Sequence, residues 1–346
     1  MRFGVHYLNT YVPELDGPVP DLYRHLFEQI QTAEKLGFDD AWVTEHHFHE
    51  AGGLISHPAV FLGALAGATS RIHLGVAISV LPLHNPLLNA EAYAMVDVLS
   101  NGRLEFGVGR GSTPGEFDGI RIDYGDSPER LREHAEILVQ AWSDDPVSFH
   151  GELYEYDGVR VLPKPLQRPH PPIWVGASRS DDTFRWAGAK GFHLMTLPYT
   201  YTPDVLQHWV GVYREELRKH GHDPASREVL GKFHAYVADT DGRARREAEP
   251  FWLTYHRMIY DRGSWSMRQP PTAEHYASEV ERGHVIVGDP ARCVELIQYY
   301  RETLGLTTFS GTFHFGGMPH EMAERSLRLF AERVMPALTP APAAPR

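Results

Sequence analysis

At 346 residues the chain is long enough for two average domains or for one α/β barrel carrying insertions. Its residues are 42% hydrophobic, 11% aromatic and 23% charged, which supplies a core and excludes a disordered chain. Thirty-three Lys and Arg against 45 Asp and Glu give a net charge of −12, which argues against general charge attraction to nucleic acid or anionic lipid, and a single cysteine, Cys293, excludes an intramolecular disulfide or a thiolate-rich metal cluster.

The opening residues, MRFGVHYLNTYVPELDGP, hold no apolar run of signal-peptide length, and no segment approaches the ~20 apolar residues of a membrane span. With the lone cysteine fitting a reducing compartment, a cytoplasmic location is expected. Residues 2–7 (RFGVHY) predict a first strand. Residues 22–36 place Leu22, Leu26, Ile30 and Ala33 at helical spacing and stop at Gly37, a residue suited to a left-handed helix end. The alternation then repeats: strand 40–44, helix 58–69 opened by Pro58, strand 72–81, helix 87–99, strand 104–108, helix 128–142 with Ser127 as its N-cap, strand 173–175, helix 181–189 and strand 192–195. Helix 203–220, strand 229–238, a late helix 291–304, strand 308–313 and a closing helix 319–334 complete it.

Eight strands alternating with helices predict a (β/α)8 TIM barrel, one domain over residues 1–337. A doubly wound sheet is the competitor, disfavoured by the count of eight and by the lack of a mid-chain linker. Two stretches break the rhythm and read as insertions: 144–172, with its proline-rich PKPLQRPHPP, and 250–284, which mixes aromatic and polar residues without clear period and is expected to cover the barrel mouth. The Ala/Pro tail, 338–346, is expected to be frayed.

In such a barrel the chemistry lies where the strands end. After strand two comes EHHFHE, Glu45 to Glu50. A catalytic metal needs at least three protein ligands, and the ends of strands four and five offer only Gly, Arg and Ser, with His314 alone after strand eight. The bland reading makes these histidines rim residues. The third makes His46 a proton-transfer group beside a bound cofactor, since imidazole titrates near neutral pH. After strand four, GVGRGS departs from the dinucleotide pattern G-x-G-x-x-G; Gly109 allows close backbone approach to a bound group, and Arg110 adds a cationic fork suited to phosphate. Ser178, Arg179 and Ser180, just before a helix, form a second candidate anion site.

The segments TEHHFHEAG, LGVAISVLPLHNP, NGRLEFGVGRG and PPIWVGASRS resemble bacterial luciferase and the wider luciferase-like flavin monooxygenases, most densely over 40–112 and more loosely to about 335. The resemblance implies a TIM barrel that binds FMN, or a deazaflavin, and usually forms a dimer. By position His46 matches the family's catalytic histidine, with Glu45 its neighbour in the motif. Ala77, Ile78 and Ser79 match the segment under the isoalloxazine, where a non-prolyl cis peptide is typical. Arg110 matches the phosphate-binding arginine, and Ser178, Arg179 and Ser180 lie where the family completes that site, although Arg179 stands near a luciferase glutamate. Gly109 replaces luciferase's reactive cysteine, which argues against light emission.

The expected function is a monooxygenase that uses reduced FMN and O2 on a small organic substrate. No dinucleotide fingerprint is present, so reduced flavin is expected from a separate reductase. The alternatives are an F420-dependent oxidoreductase on the same barrel, a metal-dependent hydrolase and a flavin-binding protein without turnover.

Overall fold

The computed structural model describes residues 1–346 apart from Asn9, Arg179, 264–268 and 340–346. Eight strands are labelled here in barrel order: β1 Arg2–Tyr7, β2 Asp40–Val43, β3 His73–Val80, β4 Leu104–Gly109, β5 Ile173–Gly176, β6 His193–Thr196, β7 Val229–Val237 and β8 Thr308–Thr312. Each pairs in parallel with the next, and β8 pairs with β1, so the sheet closes. The predicted (β/α)8 TIM barrel is the observed fold. Strands in a closed barrel are covered on both faces, hence the unbroken burial of β2, β4 and β7.

The helices form where the sequence pattern placed them. Val19–Lys35 buries Leu22, Leu26, Ile30 and Ala33, and Gly37 follows it at φ 93°. Asn85 caps Pro86–Leu99, accepting from the amides of Leu87 and Leu88. Ser127 differs from expectation. A short 3-10 turn, Tyr124–Asp126, runs straight into the helix Ser127–Trp142, so Asp126 takes the N-cap position and the Ser127 hydroxyl donates to the Tyr124 carbonyl at 2.6 Å.

The insertion after that helix carries an antiparallel hairpin, Val147–His150 with Glu155–Val159. The 250–284 stretch is more regular than its composition predicts. Asp241–Asp261 is one helix that runs through Pro250. The proline removes one backbone hydrogen bond, but Ala244, Ala248, Trp252, Tyr255 and Ile259 form a continuous buried stripe that packs on Tyr236, Tyr276 and Phe315 and outweighs that loss. A second helix, Ala273–Glu281, follows, and a three-residue strand, Ile286–Gly288, pairs on the outside of β7. Residues 264–268 of the expected cover, and most of the expected tail, lie outside the described residues.

The barrel interior is layered. At the N-terminal end the Arg2 guanidinium binds Asp40, Glu105 and Glu228 together. Above it Trp42 and Trp174 cross edge to face, centroids 5.4 Å apart, with Met195 and Leu230. Trp42 fits because β1 and β3 put glycine beside it: a Cβ on Gly75 would lie 2.1 Å from the indole. Gly75→Ala should therefore overpack the barrel and cost about 1–3 kcal/mol of stability. A thermal melt reads this as a lowered midpoint, and an unchanged midpoint would show that Trp42 does not fill the space against β3.

Candidate active site

β3 and β4 pair in register through Val76 opposite Phe106, then resume with Ser79 opposite Val108, so β3 carries one extra residue between. The Ala77–Ile78 peptide inside this bulge is cis, as the resemblance implied. Neighbouring strands make room for it with glycine. A Cβ on Gly107 would lie 2.2 Å from the Val76 carbonyl oxygen, one on Gly109 2.1 Å from Ile78 Cδ1, and one on Gly176 2.9 Å from Ile78 Cγ2. Ala77 and Ile78 remain half-buried at the C-terminal end of the barrel and form an apolar ledge, while Ser79 is fully buried. A side chain at Gly109 would therefore require Ile78 to shift.

EHHFHE divides into two clusters. The Glu45 carboxylate accepts from His47 Nε2 at 3.1 Å, from His84 Nε2 at 2.7 Å and from the Val80 amide at 3.2 Å. Burial alone pushes this carboxyl up, but the hydrogen bonds and charges of the two imidazoles win and hold it down at about 2. Glu45 therefore ties the strand-two loop to β3 and makes no hydrogen bond to its sequence neighbour His46.

His46 belongs to the second cluster, where its Nδ1 donates to Glu116 Oε1 at 2.8 Å. The same oxygen accepts from His49 Nε2 at 3.1 Å and from the His47 amide at 3.1 Å. Burial opposes charge on Glu116, yet these three donors hold its carboxyl far below the usual carboxylate range. Burial, followed by the charge of Arg262, lowers His46 to about 4 despite the carboxylate partner. The sequence reading expected an imidazole that titrates near neutrality. The buried site instead keeps it neutral, with Nδ1 protonated toward Glu116 and Nε2 bonded to none of the described residues. Gly52, at φ 98°, packs on the ring, where a Cβ would lie 2.7 Å from Cδ2.

Each cluster brings two imidazoles and a carboxylate within 4.8 Å of one another. The partners that seemed missing at the other strand ends thus exist: His84 after β3, and Glu116 in the short helix Pro114–Ile120 after β4. Arg262 was also missed. It follows the helix Asp241–Asp261, and its Nη1 donates to the Ala51 carbonyl at 2.6 Å, while its Nε is buried without a hydrogen bond to any of the described residues.

Arg110 leaves the end of β4 with its guanidinium 5.4 Å from the Tyr124 ring centroid, and no carboxylate lies within 4 Å among the described residues. β5 runs beside β4, with Val108 opposite Val175, so Ser178 and Ser180 leave the neighbouring strand end. Ser180 stands at the N-cap of Asp181–Lys190, but its hydroxyl does not bond the helix amides, and Asp181 is turned to Arg185. Arg179 lies outside the described residues.

The state of His46 is directly measurable. Its imidazole titration, followed by NMR, should have a midpoint near about 4, and Glu116→Gln should move it lower, because the carboxylate is the neighbour that raises it. A midpoint at the ordinary histidine value in the unaltered protein would mean that the ring is solvated and not held between Glu116 and Arg262.

Comparison with known proteins agrees with this architecture. The luciferase-like monooxygenase family model matches residues 1–307. An alkanal monooxygenase alpha chain from the Kryptophanaron alfredi symbiont is 27% identical, over 98% of both chains. The oxygenase component of a flavin-dependent trigonelline monooxygenase from Acinetobacter baylyi is 27% identical, over 92% of this chain and 90% of that one. The crystal structure of monooxygenase RslO1 from Streptomyces bottropensis superposes with a TM-score of 0.91 at 27% identity, covering 98% of this chain and 100% of that one. The chain belongs to the luciferase-like monooxygenase family.

Proposed function

We propose that the protein binds reduced FMN in the barrel mouth and places one oxygen atom of O2 on a small organic substrate, as the oxygenase half of a two-component system with a separate reductase. The observation that carries this reading is the pairing, on adjacent strand ends, of the β3 ledge with the carboxylate-free Arg110 guanidinium. A flat ring system with a phosphate tail needs an apolar floor and a cationic hook at its far end, and these residues fit both.

Bound reduced flavin would supply the two electrons with which one atom of O2 enters the substrate and the other leaves as water. The chain's own residues do the rest. Arg110, with the Ser178 and Ser180 hydroxyls, holds the phosphate, and Ala77, Ile78 and Gly109 support the ring. His46 presents Nε2 as a neutral proton acceptor, and Glu116 stabilises the imidazolium that forms when it takes a proton. Glu45 acts through position, by fixing the loop that carries His46.

A homodimer is part of the proposal. Val60 on Pro58–Ala68 and Leu88, Met95 and Leu99 on Pro86–Leu99 are more than half exposed, although the two helices pack side by side. Such a patch suits a second copy of the chain. A cytoplasmic location completes the reading.

If Arg110 holds the phosphate, Arg110→Ala should weaken FMN by about 10- to 100-fold and affect riboflavin far less. Equal losses for both ligands would remove Arg110 from the cofactor site, and tighter binding of F420 than of FMN in the same titration would replace the cofactor. His46→Ala should lower turnover by roughly 10²–10⁴ with little change in FMN affinity. Unchanged turnover would refute the proton role. For the dimer, Leu88→Glu with Leu99→Glu should shift the sedimenting species to a monomer. A monomeric unaltered protein would refute that part.

A further inference from the structure

One buried charge is not used by the reaction as drawn so far. Lys232 lies on β7, two residues above Leu230 of the tryptophan layer, and is 5% exposed. Its Nζ donates to the Tyr199 hydroxyl at 3.3 Å and sits 5.6 and 5.9 Å from the ring centroids of Tyr199 and Tyr255. Among the described residues no carboxylate lies within 4 Å of it. Its titratable neighbours include three imidazoles held neutral: His6 and His234 are both lowered by burial and by the Lys232 charge, and His256 is lowered to about 3 chiefly by burial. On β8, Ser310 and Thr312 stand in register with Lys232 and His234, and their hydroxyls, like His6 Nδ1 and His234 Nε2, are buried without a hydrogen bond among the described residues.

Burying an ammonium without a counter-ion is costly. Space above Leu230 could be filled by another apolar side chain, and the arginine at the opposite end of the barrel is given three carboxylates. Aromatic rings crowd this end of β7: His234 has Tyr255, Phe315 and Tyr199 around it at 4.4, 5.2 and 6.2 Å between centroids. Arg262, which follows the helix that carries Tyr255, has both Tyr255 and Glu116 of the His46 cluster among its electrostatic neighbours.

We propose that Lys232 recognises an anionic oxygen of the substrate, a carboxylate or an ionised phenol on a flat, unsaturated skeleton. The proposal rests on the monooxygenase reading only for the statement that this ligand is the substrate. Burial pushes the Lys232 amine down to about 7. An anion raises it again, so at pH 8 binding takes up a proton, while His6, His234 and His256 stay neutral and Tyr199 and Tyr255 stay protonated.

The test uses matched probes on the FMN-loaded protein. Calorimetric titration compares benzoate with benzamide, and 4-nitrophenolate with nitrobenzene, for the unaltered chain and for Lys232→Met, which keeps the bulk of the side chain. The anion should bind about 10- to 100-fold tighter than its neutral partner, and Lys232→Met should abolish the preference while the neutral probes bind as before. Repeating the unaltered chain at pH 8 in two buffers of different ionisation enthalpy should show proton uptake, a readout that stands even if Lys232→Met fails to fold. Preference for benzoate alone assigns a carboxylate, and for 4-nitrophenolate alone a phenolate. No preference in either pair, or a preference that survives in Lys232→Met, overturns the proposal. FMN affinity and O2 consumption with reduced FMN, measured on the unaltered protein, judge the monooxygenase reading separately.

Discussion

The candidate site depends on the extra residue in β3. A parallel barrel has no slack between neighbouring strands, so a bulge that turns Ala77 and Ile78 toward the mouth needs space on β4 and β5. Gly107, Gly109 and Gly176 provide it, and any side chain at the first two would collide at under 2.5 Å. Once the bulge is formed, the chain emerging from β3 is placed where the Val80 amide and the His84 imidazole meet Glu45. The strand-two loop is thereby anchored, and with it His46. A ledge, a carboxylate tie and an oriented imidazole follow from one local slip in register.

The fold was legible because its signals are local. Helical spacing at Leu22, Leu26, Ile30 and Ala33, prolines at helix starts and two-sided burial of the strands can each be read within a dozen residues. The site was legible only in part. Positions on strand ends are readable, so the closeness of His46 to β3 and β4 could be expected. The partner of each charged group could not, because it is set by side-chain direction across strands: Glu45 turns to His84 and His46 to Glu116, 39 and 70 positions along the chain. A carboxylate in the first turn of a short helix just past the glycine-rich loop was the available hint of Glu116. The 250–284 stretch misled for a physical reason. Its mixed composition hid the buried stripe of the helix that enters it from Asp241, and tertiary packing carries that helix through Pro250.

Charge inside the barrel is segregated by depth. At the N-terminal end one arginine gathers three carboxylates; in the middle the layer is tryptophan, methionine and leucine; toward the C-terminal end the buried carboxylates of Glu45 and Glu116 bind imidazoles, and Lys232 is buried without a carboxylate partner among the described residues. A low-dielectric wall on every side makes these few charges act over longer distances than they would in water.

Arg110 and Glu116 sit on the same short connection, seven residues from the end of a strand to the first turn of a helix. Under the proposed reading the first would hook an anionic tail, while the second accepts from His46 Nδ1 and so orients that imidazole. A change in the length or stiffness of that connection would shift both together, so affinity for the tail and placement of the proton acceptor would change as one. Relatives that alter this segment are expected to differ in both properties at once, and grafting only one of the two residues onto another barrel would separate what this chain keeps joined.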